Sequence, residues 1–141
     1  MMTQTTSLFV YGTLKRGHRL NSVLGGGSTL QYPAITVLND YDLHGYSSAF
    51  PIMTLTNEAA GYKVLGELYT VSPSVMDRVN SIEGGAGYIP YIVDVKPIDS
   101  ADKRVAQAIT FIYPNTDKYM ALSPIISTKM SDITGEVKVW A

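Results

Sequence analysis

Residues 64–71, VLGELYTV, and residues 72–83, SPSVMDRVNSIE, determine the local structure in the middle of the chain. Alternate side chains of the first segment share one face, which carries Leu65, Glu67, Tyr69 and Val71. This alternation is typical of a β-strand. The second segment opens with an N-cap serine and a proline at the first helical position. Its apolar residues then recur at helical spacing, at Val75, Met76, Val79 and Ile82. The stretch therefore predicts a strand followed directly by a helix that ends near Glu83.

The rest of the chain predicts mostly short strands separated by Gly and Pro. Residues 8–11, LFVY, are apolar at four successive positions, which is typical of a strand covered on both faces. Further short strands are predicted within residues 32–43, 51–55, 88–96 and 105–113. Leu20, Val23 and Leu24 predict a short helix that the glycines at 25–27 end. We therefore expect one α+β domain over residues 1–141, with a small mixed β-barrel or curled sheet flanked by short helices.

Composition excludes several classes of function. The chain has 141 residues, is 45% hydrophobic and carries a net charge of −1, so no basic stripe for nucleic acid is expected. With no cysteine and only two histidines, neither a Cys nucleophile nor a multi-His metal centre is available. No apolar run reaches the roughly 18–20 residues of a membrane span, and the polar first residues do not resemble a signal peptide. The expectation is a cytoplasmic protein, monomeric or weakly dimeric, that binds no nucleic acid, membrane or metal.

Two carboxylates are candidates for chemistry. Glu83 lies four residues after Val79, so helical geometry places it beside the apolar stripe at the helix C-terminus. Burial and the negative end of the helix dipole would both raise its pKa toward the range useful for proton transfer. A solvated glutamate at a helix end is the alternative. Glu67 is the second candidate; its alternative is a barrel-lining carboxylate that a neighbouring tyrosine or the backbone hydrogen-bonds.

A glycine loop follows the first predicted strand, in the sequence Tyr11-Gly12-Thr13-Leu14-Lys15. A strand that ends in glycine can direct successive backbone N–H groups into a pocket and so bind an anion or oxyanion. Four tyrosines end or flank apolar strands, where the ring is buried and the hydroxyl can orient a ligand: Tyr11, Tyr69, Tyr88 and Tyr113.

Together these segments resemble the γ-glutamylcyclotransferase-like family, which includes γ-glutamylamine cyclotransferases and AIG2-like proteins. The matching residues run in the family's order from about 8 to 114: Phe9 to Lys15, Phe50-Pro51, Val64 and Gly66 to Tyr69, Asp77, Glu83-Gly84, Tyr88 and Tyr113. This chain has Ile89-Pro90-Tyr91 where the family often has a basic residue after the tyrosine. Residues from about 118 onward have no counterpart in the resemblance.

The resemblance implies a small β-barrel with a cavity at one end and no metal or organic cofactor. It assigns substrate binding to Tyr11, Gly12, Thr13, Leu14, Tyr88 and Tyr113, and general acid–base catalysis to Glu83. The implied reaction is the cyclisation of a γ-glutamyl amide or peptide, which releases 5-oxoproline and a free amine. Since the substrate's own α-amine attacks the γ-carbonyl, the enzyme needs no nucleophile. Two alternatives remain: a binding protein of this fold without turnover, and the same chemistry on another acyl-amide conjugate.

Overall fold

The structure is a computed structural model, and the residues that it describes form ten strands and one α-helix. It describes residues 5–12, 14–15, 21–37, 41–46, 50–55, 62–85, 87–98, 104–113, 123–124, 128–129 and 136–138. The strands are β1 Thr6–Val10, β2 Ser28–Thr36, β3 Tyr41–Tyr46, β4 Phe50–Leu55, β5 Lys63–Val71, β6 Ile89–Pro97, β7 Ala106–Ile112, β8 Ser123–Pro124, β9 Thr128–Lys129 and β10 Glu136–Lys138. Helix α1 spans Pro73–Gly85, and short 3-10 turns span Asn21–Val23 and Gly25–Gly27.

Five of the strands close into a mixed barrel in the order β1-β7-β6-β2-β5, because β5 also pairs with β1. The β1–β7 pair is parallel, and the other four pairs around the barrel are antiparallel. Strand β10 adds in parallel to the start of β5 and carries β9 on its far side. A second sheet of three strands has the order β4-β3-β8. The α+β barrel predicted from the sequence is therefore confirmed.

Strand β1 divides the apolar residues into two clusters, one on each side of the barrel wall. Phe9 points into the barrel, where it packs with residues such as Leu68 and Val93. Leu8 and Val10 point outward into the cluster that helix α1 covers. The prediction of a strand covered on both faces is confirmed, and α1 lies against the outside of the wall formed by β1, β5 and β7.

Helix α1 has the predicted N-terminus and a C-terminus two residues later than predicted. Ser72 Oγ accepts a 3.4 Å hydrogen bond from the Val75 N–H, and the Ser72 carbonyl accepts the first helical bond from Met76. At the other end, the glycines at 84 and 85 remain helical, and Gly87 supplies the positive φ, at +94°, that ends the helix. The helix therefore continues through the first two glycines and ends before Gly87, the glycine that adopts the left-handed conformation.

Two other local predictions need correction. The glycines at 25–27 do not end a helix but form a second 3-10 turn, in which Gly25 has a φ of +51°. The side chain of Ile82, expected in the apolar stripe of α1, is 37% exposed and borders a groove with Val23 and Arg78. The stripe that packs against the wall consists of Val75, Met76 and Val79.

A buried ion pair joins strand β10 to β3 of the second sheet. Lys138 is only 4% exposed, and its Nζ lies 2.6 Å from Asp42 Oδ1. The same ammonium lies 4.2 Å from the centre of the Tyr62 ring, a cation–π contact. Among the helices of the described residues, none is long and apolar enough to cross a membrane.

Candidate functional site

Glu83 lies in the last turn of α1, and its side chain is half-buried. Burial raises the pKa of this carboxyl from 4.5 to about 7. In the described part of the chain, no hydrogen bond or ion pair to this carboxylate offsets the cost of burying its charge. A carboxyl with a pKa near neutral pH can both accept and return a proton.

Tyr11 is fully buried next to this acid. Its hydroxyl donates a 2.6 Å hydrogen bond to the Phe111 carbonyl and accepts one of 3.3 Å from the Met53 N–H. Burial is the main cause that raises the pKa of Tyr11 well above its usual value, with smaller electrostatic contributions from Tyr88 and Glu83. These contributions show that Tyr11, Tyr88 and Glu83 are neighbours. The phenol thus joins β7 to β4.

The glycine loop continues from Tyr11 as a tight turn. The Lys15 N–H donates a 2.9 Å hydrogen bond to the Gly12 carbonyl, and the Leu14 side chain is buried under α1. Thr13, the remaining residue of the predicted binding loop, lies outside the described residues. The turn thus begins at the neighbour of Tyr11 and is anchored to the helix by Leu14.

Two tyrosines pack together at the end of α1. The rings of Tyr88 and Tyr113 are 5.2 Å apart at an interplanar angle of 76°, an edge-to-face contact. The Tyr113 N–H donates a 2.9 Å hydrogen bond to the Met53 carbonyl, so the same β4 residue contacts both Tyr11 and Tyr113. A Cβ at Gly87 would lie 2.8 Å from the Tyr113 hydroxyl, so the absence of a side chain there allows this packing.

Glu67 has different neighbouring side chains from Glu83. It shares the outer face of β5 with Tyr69 and Val71, which pack under α1, whereas its neighbour Leu68 points into the barrel. The hydrogen bond to a tyrosine expected from the sequence is present, since the Tyr69 hydroxyl donates to Glu67 Oε1 at 3.2 Å. The position lining the barrel is wrong, because that face of the strand carries Leu68 instead.

Asn21 is a residue of this region that the sequence analysis missed. Its Nδ2 donates hydrogen bonds to the Leu14 carbonyl at 2.8 Å and to the Tyr69 hydroxyl at 3.2 Å. An asparagine at the start of a short turn carries no signal of its own, because its partners come from distant parts of the chain. In the described residues, no three His, Asp or Glu side chains gather in a way that could hold a metal ion.

Comparison with known proteins gives a match to one family model. Residues 8–129 match the family model described as gamma-glutamyl cyclotransferase, AIG2-like. An 84-residue segment is 34% identical to an Arabidopsis thaliana protein named "Putative gamma-glutamylcyclotransferase At3g02910". That segment is 57% of this chain and 44% of the plant protein, so the match spans less than half of the relative's length.

Solved structures with this fold come from distant organisms. An AIG2-like protein from Mus musculus superposes with a TM-score of 0.73 at 19% identity, over 93% of this chain and 92% of the mouse chain. A uropathogenic E. coli-specific protein, c4763, superposes with a TM-score of 0.65 at 22% identity, over 86% of this chain and 88% of the other. At these identities the likeness shows a shared fold.

Proposed function

Because the chain belongs to the gamma-glutamyl cyclotransferase, AIG2-like family, we propose that it cyclises a γ-glutamyl amide, with Glu83 as the general acid and base. The products are 5-oxoproline and a free amine. The observation that carries this proposal is the half-buried carboxyl of Glu83, whose pKa is about 7 and which neighbours Tyr11 and Tyr88.

The reaction requires two protons to leave the attacking nitrogen, and Glu83 carries them in turn. In the substrate, the α-ammonium loses one proton to the Glu83 carboxylate, and the neutral amine attacks the γ-carbonyl carbon, so that a new C–N bond closes the five-membered ring. The protonated Glu83 gives its proton to the departing nitrogen, and the bond to the leaving amine breaks. The regenerated carboxylate takes the second proton from the ring nitrogen, which leaves the amide N–H of 5-oxoproline, and releases it to the free amine. A carboxyl with a pKa near 7 suits both steps, because neither the proton's arrival nor its departure is strongly uphill.

The glycine loop is proposed to supply hydrogen-bond donors for the negative charge of the reacting substrate. As the amine attacks, negative charge develops on the γ-carbonyl oxygen, and backbone N–H groups can stabilise it without reorganising. The residues proposed for this role, or for holding the α-carboxylate, are Tyr11, Gly12, Thr13 and Leu14. Support comes from the tight turn at Gly12–Lys15, which starts beside the acid–tyrosine group. The paired rings of Tyr88 and Tyr113 are proposed to form one boundary of the substrate site.

Incubation with a panel of γ-glutamyl amines and γ-glutamyl peptides tests the proposal, with 5-oxoproline measured by mass spectrometry. Release of 5-oxoproline by the wild-type protein, and its loss in Glu83→Gln, is the expected result. Tight binding of the same compounds without any release would instead support a binding protein of this fold. The half-buried Glu83 carboxylate, which has no hydrogen bond or ion pair within the described residues, argues against that alternative, because a binder gains nothing from the cost of burying it.

A further inference from the structure

We propose that Asn21, Tyr69 and Glu67 are positioning residues that hold the glycine loop in its binding conformation through a continuous chain of hydrogen bonds. The inference rests on the proposed function, since it gives the purpose for which the loop must be held. It assigns to Glu67 a role other than proton transfer to the substrate.

The donor and the acceptor of each hydrogen bond in this chain are determined by the chemistry of the side chains. A carboxylate can only accept, so the Tyr69 hydroxyl must donate its proton to Glu67 Oε1, over 3.2 Å. The hydroxyl oxygen accepts from Asn21 Nδ2, also at 3.2 Å. The same amide group of Asn21 donates to the Leu14 carbonyl at 2.8 Å. The negative charge of Glu67 thereby fixes the orientation of each group as far as the loop.

The peptide group that this chain reaches is held at both ends. The carbonyl of Leu14 and the N–H of Lys15 belong to the same planar peptide. The carbonyl accepts from Asn21, and the N–H donates to the Gly12 carbonyl at 2.9 Å. A peptide plane with both polar groups bound is held in one orientation, and this plane joins Leu14, the last residue of the proposed binding loop, to Lys15.

The last residue of the turn also interacts with Glu67. Lys15 is only 9% exposed, and its burial lowers the pKa of the ammonium, while the charge of Glu67 acts in the opposite direction. The carboxylate that accepts from Tyr69 thus also influences the ammonium of Lys15.

The experiment distinguishes an effect on substrate binding by the loop from an effect on proton transfer by Glu83. Asn21→Ala removes both donors, and Tyr69→Phe removes the hydroxyl while it keeps the buried ring. We expect each variant to raise KM about three- to tenfold, because each interrupts the chain of hydrogen bonds that holds the loop. The pH at which kcat is half-maximal should not move, because Glu83 is untouched. The double variant should cost no more than the larger single effect, because both changes break one chain. Ser22→Ala, an exposed neighbour in the same turn, is the matched control.

A second readout does not depend on the substrate. Hydrogen exchange of the Lys15 amide reports the turn directly, and we expect it to accelerate about three- to tenfold in both variants, with amides of α1 unchanged. Glu67→Gln keeps an acceptor for Tyr69 and should accelerate exchange less than Glu67→Ala. Unchanged Lys15 exchange in the folded variants, or equal acceleration throughout the protein, would overturn the inference. Failure of the wild type to release 5-oxoproline would overturn the proposed function, while the exchange experiment still decides the role of the network.

Discussion

The main-chain N–H of Tyr88 donates a 3.0 Å hydrogen bond to the carbonyl of Glu83. A second bond, from the Gly87 N–H to the Gly84 carbonyl, completes the pattern of a Schellman helix end. The proposed acid and one of the aromatic residues next to it are therefore placed by the same six residues. The end of α1 and the start of β6 form one rigid corner of the candidate site, and this corner depends on the positive φ of Gly87.

Glu83→Gln should abolish most of the turnover. The substitution keeps the shape of the side chain but removes its ability to carry a proton, and a lost general acid–base group costs roughly 10²–10⁴-fold. The measurement is kcat for 5-oxoproline release from the best substrate of the panel. Asp77→Asn, which neutralises an exposed acid on the same helix, is the control and should retain activity. Normal turnover in Glu83→Gln would remove Glu83 from the mechanism.

The pH dependence of kcat should report the pKa of the Glu83 carboxyl. Because the first step needs the ionised form of Glu83, kcat should rise with pH and reach half of its plateau near pH 7. Since burial is the cause of the raised pKa, a variant that opens the site to water should shift the midpoint to lower pH. A midpoint close to the pKa of a solvated glutamate in the wild type would contradict this assignment.

Glu83→Gln should also stabilise the fold at neutral and alkaline pH. The native pKa of about 7 lies above the unfolded value of 4.5, so the native state binds more protons between these values and loses stability as pH rises. Above pH 7 the buried charge costs up to about 3 kcal/mol, and the glutamine variant avoids it. Urea unfolding at pH 8 should therefore favour the variant, and the difference should disappear below pH 4.5. Equal pH dependence of the two proteins would show that Glu83 is solvated.

Gly66→Ala should destabilise the barrel strongly. An added Cβ would overlap the Val10 carbonyl and lie 2.8 and 2.9 Å from two ring atoms of Phe9, which fills the barrel interior. Overpacking of this kind costs about 1–3 kcal/mol or more. Gly85→Ala is the matched control, because an added Cβ there meets no atom within 4 Å and helical alanine is favoured by up to about 1 kcal/mol. Thermal melts should move in opposite directions for the two variants.

The amine half of the preferred substrate should be apolar. Ile89 and Tyr91 follow Tyr88 on the face of β6 that also carries buried Val93, and they are 42% and 36% exposed. Exposed apolar side chains that directly follow Tyr88 would favour an alkyl or aryl amine over a charged one, by roughly 1–3 kcal/mol for each apolar group that the substrate buries. The comparison is kcat/KM for γ-glutamyl amides of matched size, one with an alkyl and one with a carboxylate-bearing amine half. A preference for the charged compound would contradict this expectation.

The order of elements and several local features were predictable from the sequence. Strand β5 and helix α1 were identified because side-chain alternation, an N-cap serine and a proline depend only on neighbouring residues. The position of Glu83 beside the buried stripe followed from helical spacing alone. The end of α1 was not predictable to the residue, because three glycines stand close together and only tertiary contacts select the one with positive φ.

The closure of the barrel and the environment of the candidate site were decided by tertiary structure. The Thr110 hydroxyl donates to the Phe9 carbonyl 101 residues away, and the Tyr11 hydroxyl bonds to Phe111 100 residues away. The contact between Asn21 and Tyr69 spans 48 residues. Local periodicity carries no information about such pairs, because it records which face a residue occupies and not what covers that face. The sequence by itself thus determined the strands up to residue 113, the helix and the place of Glu83 on it, whereas only the packed fold partly buried that carboxyl and raised its pKa.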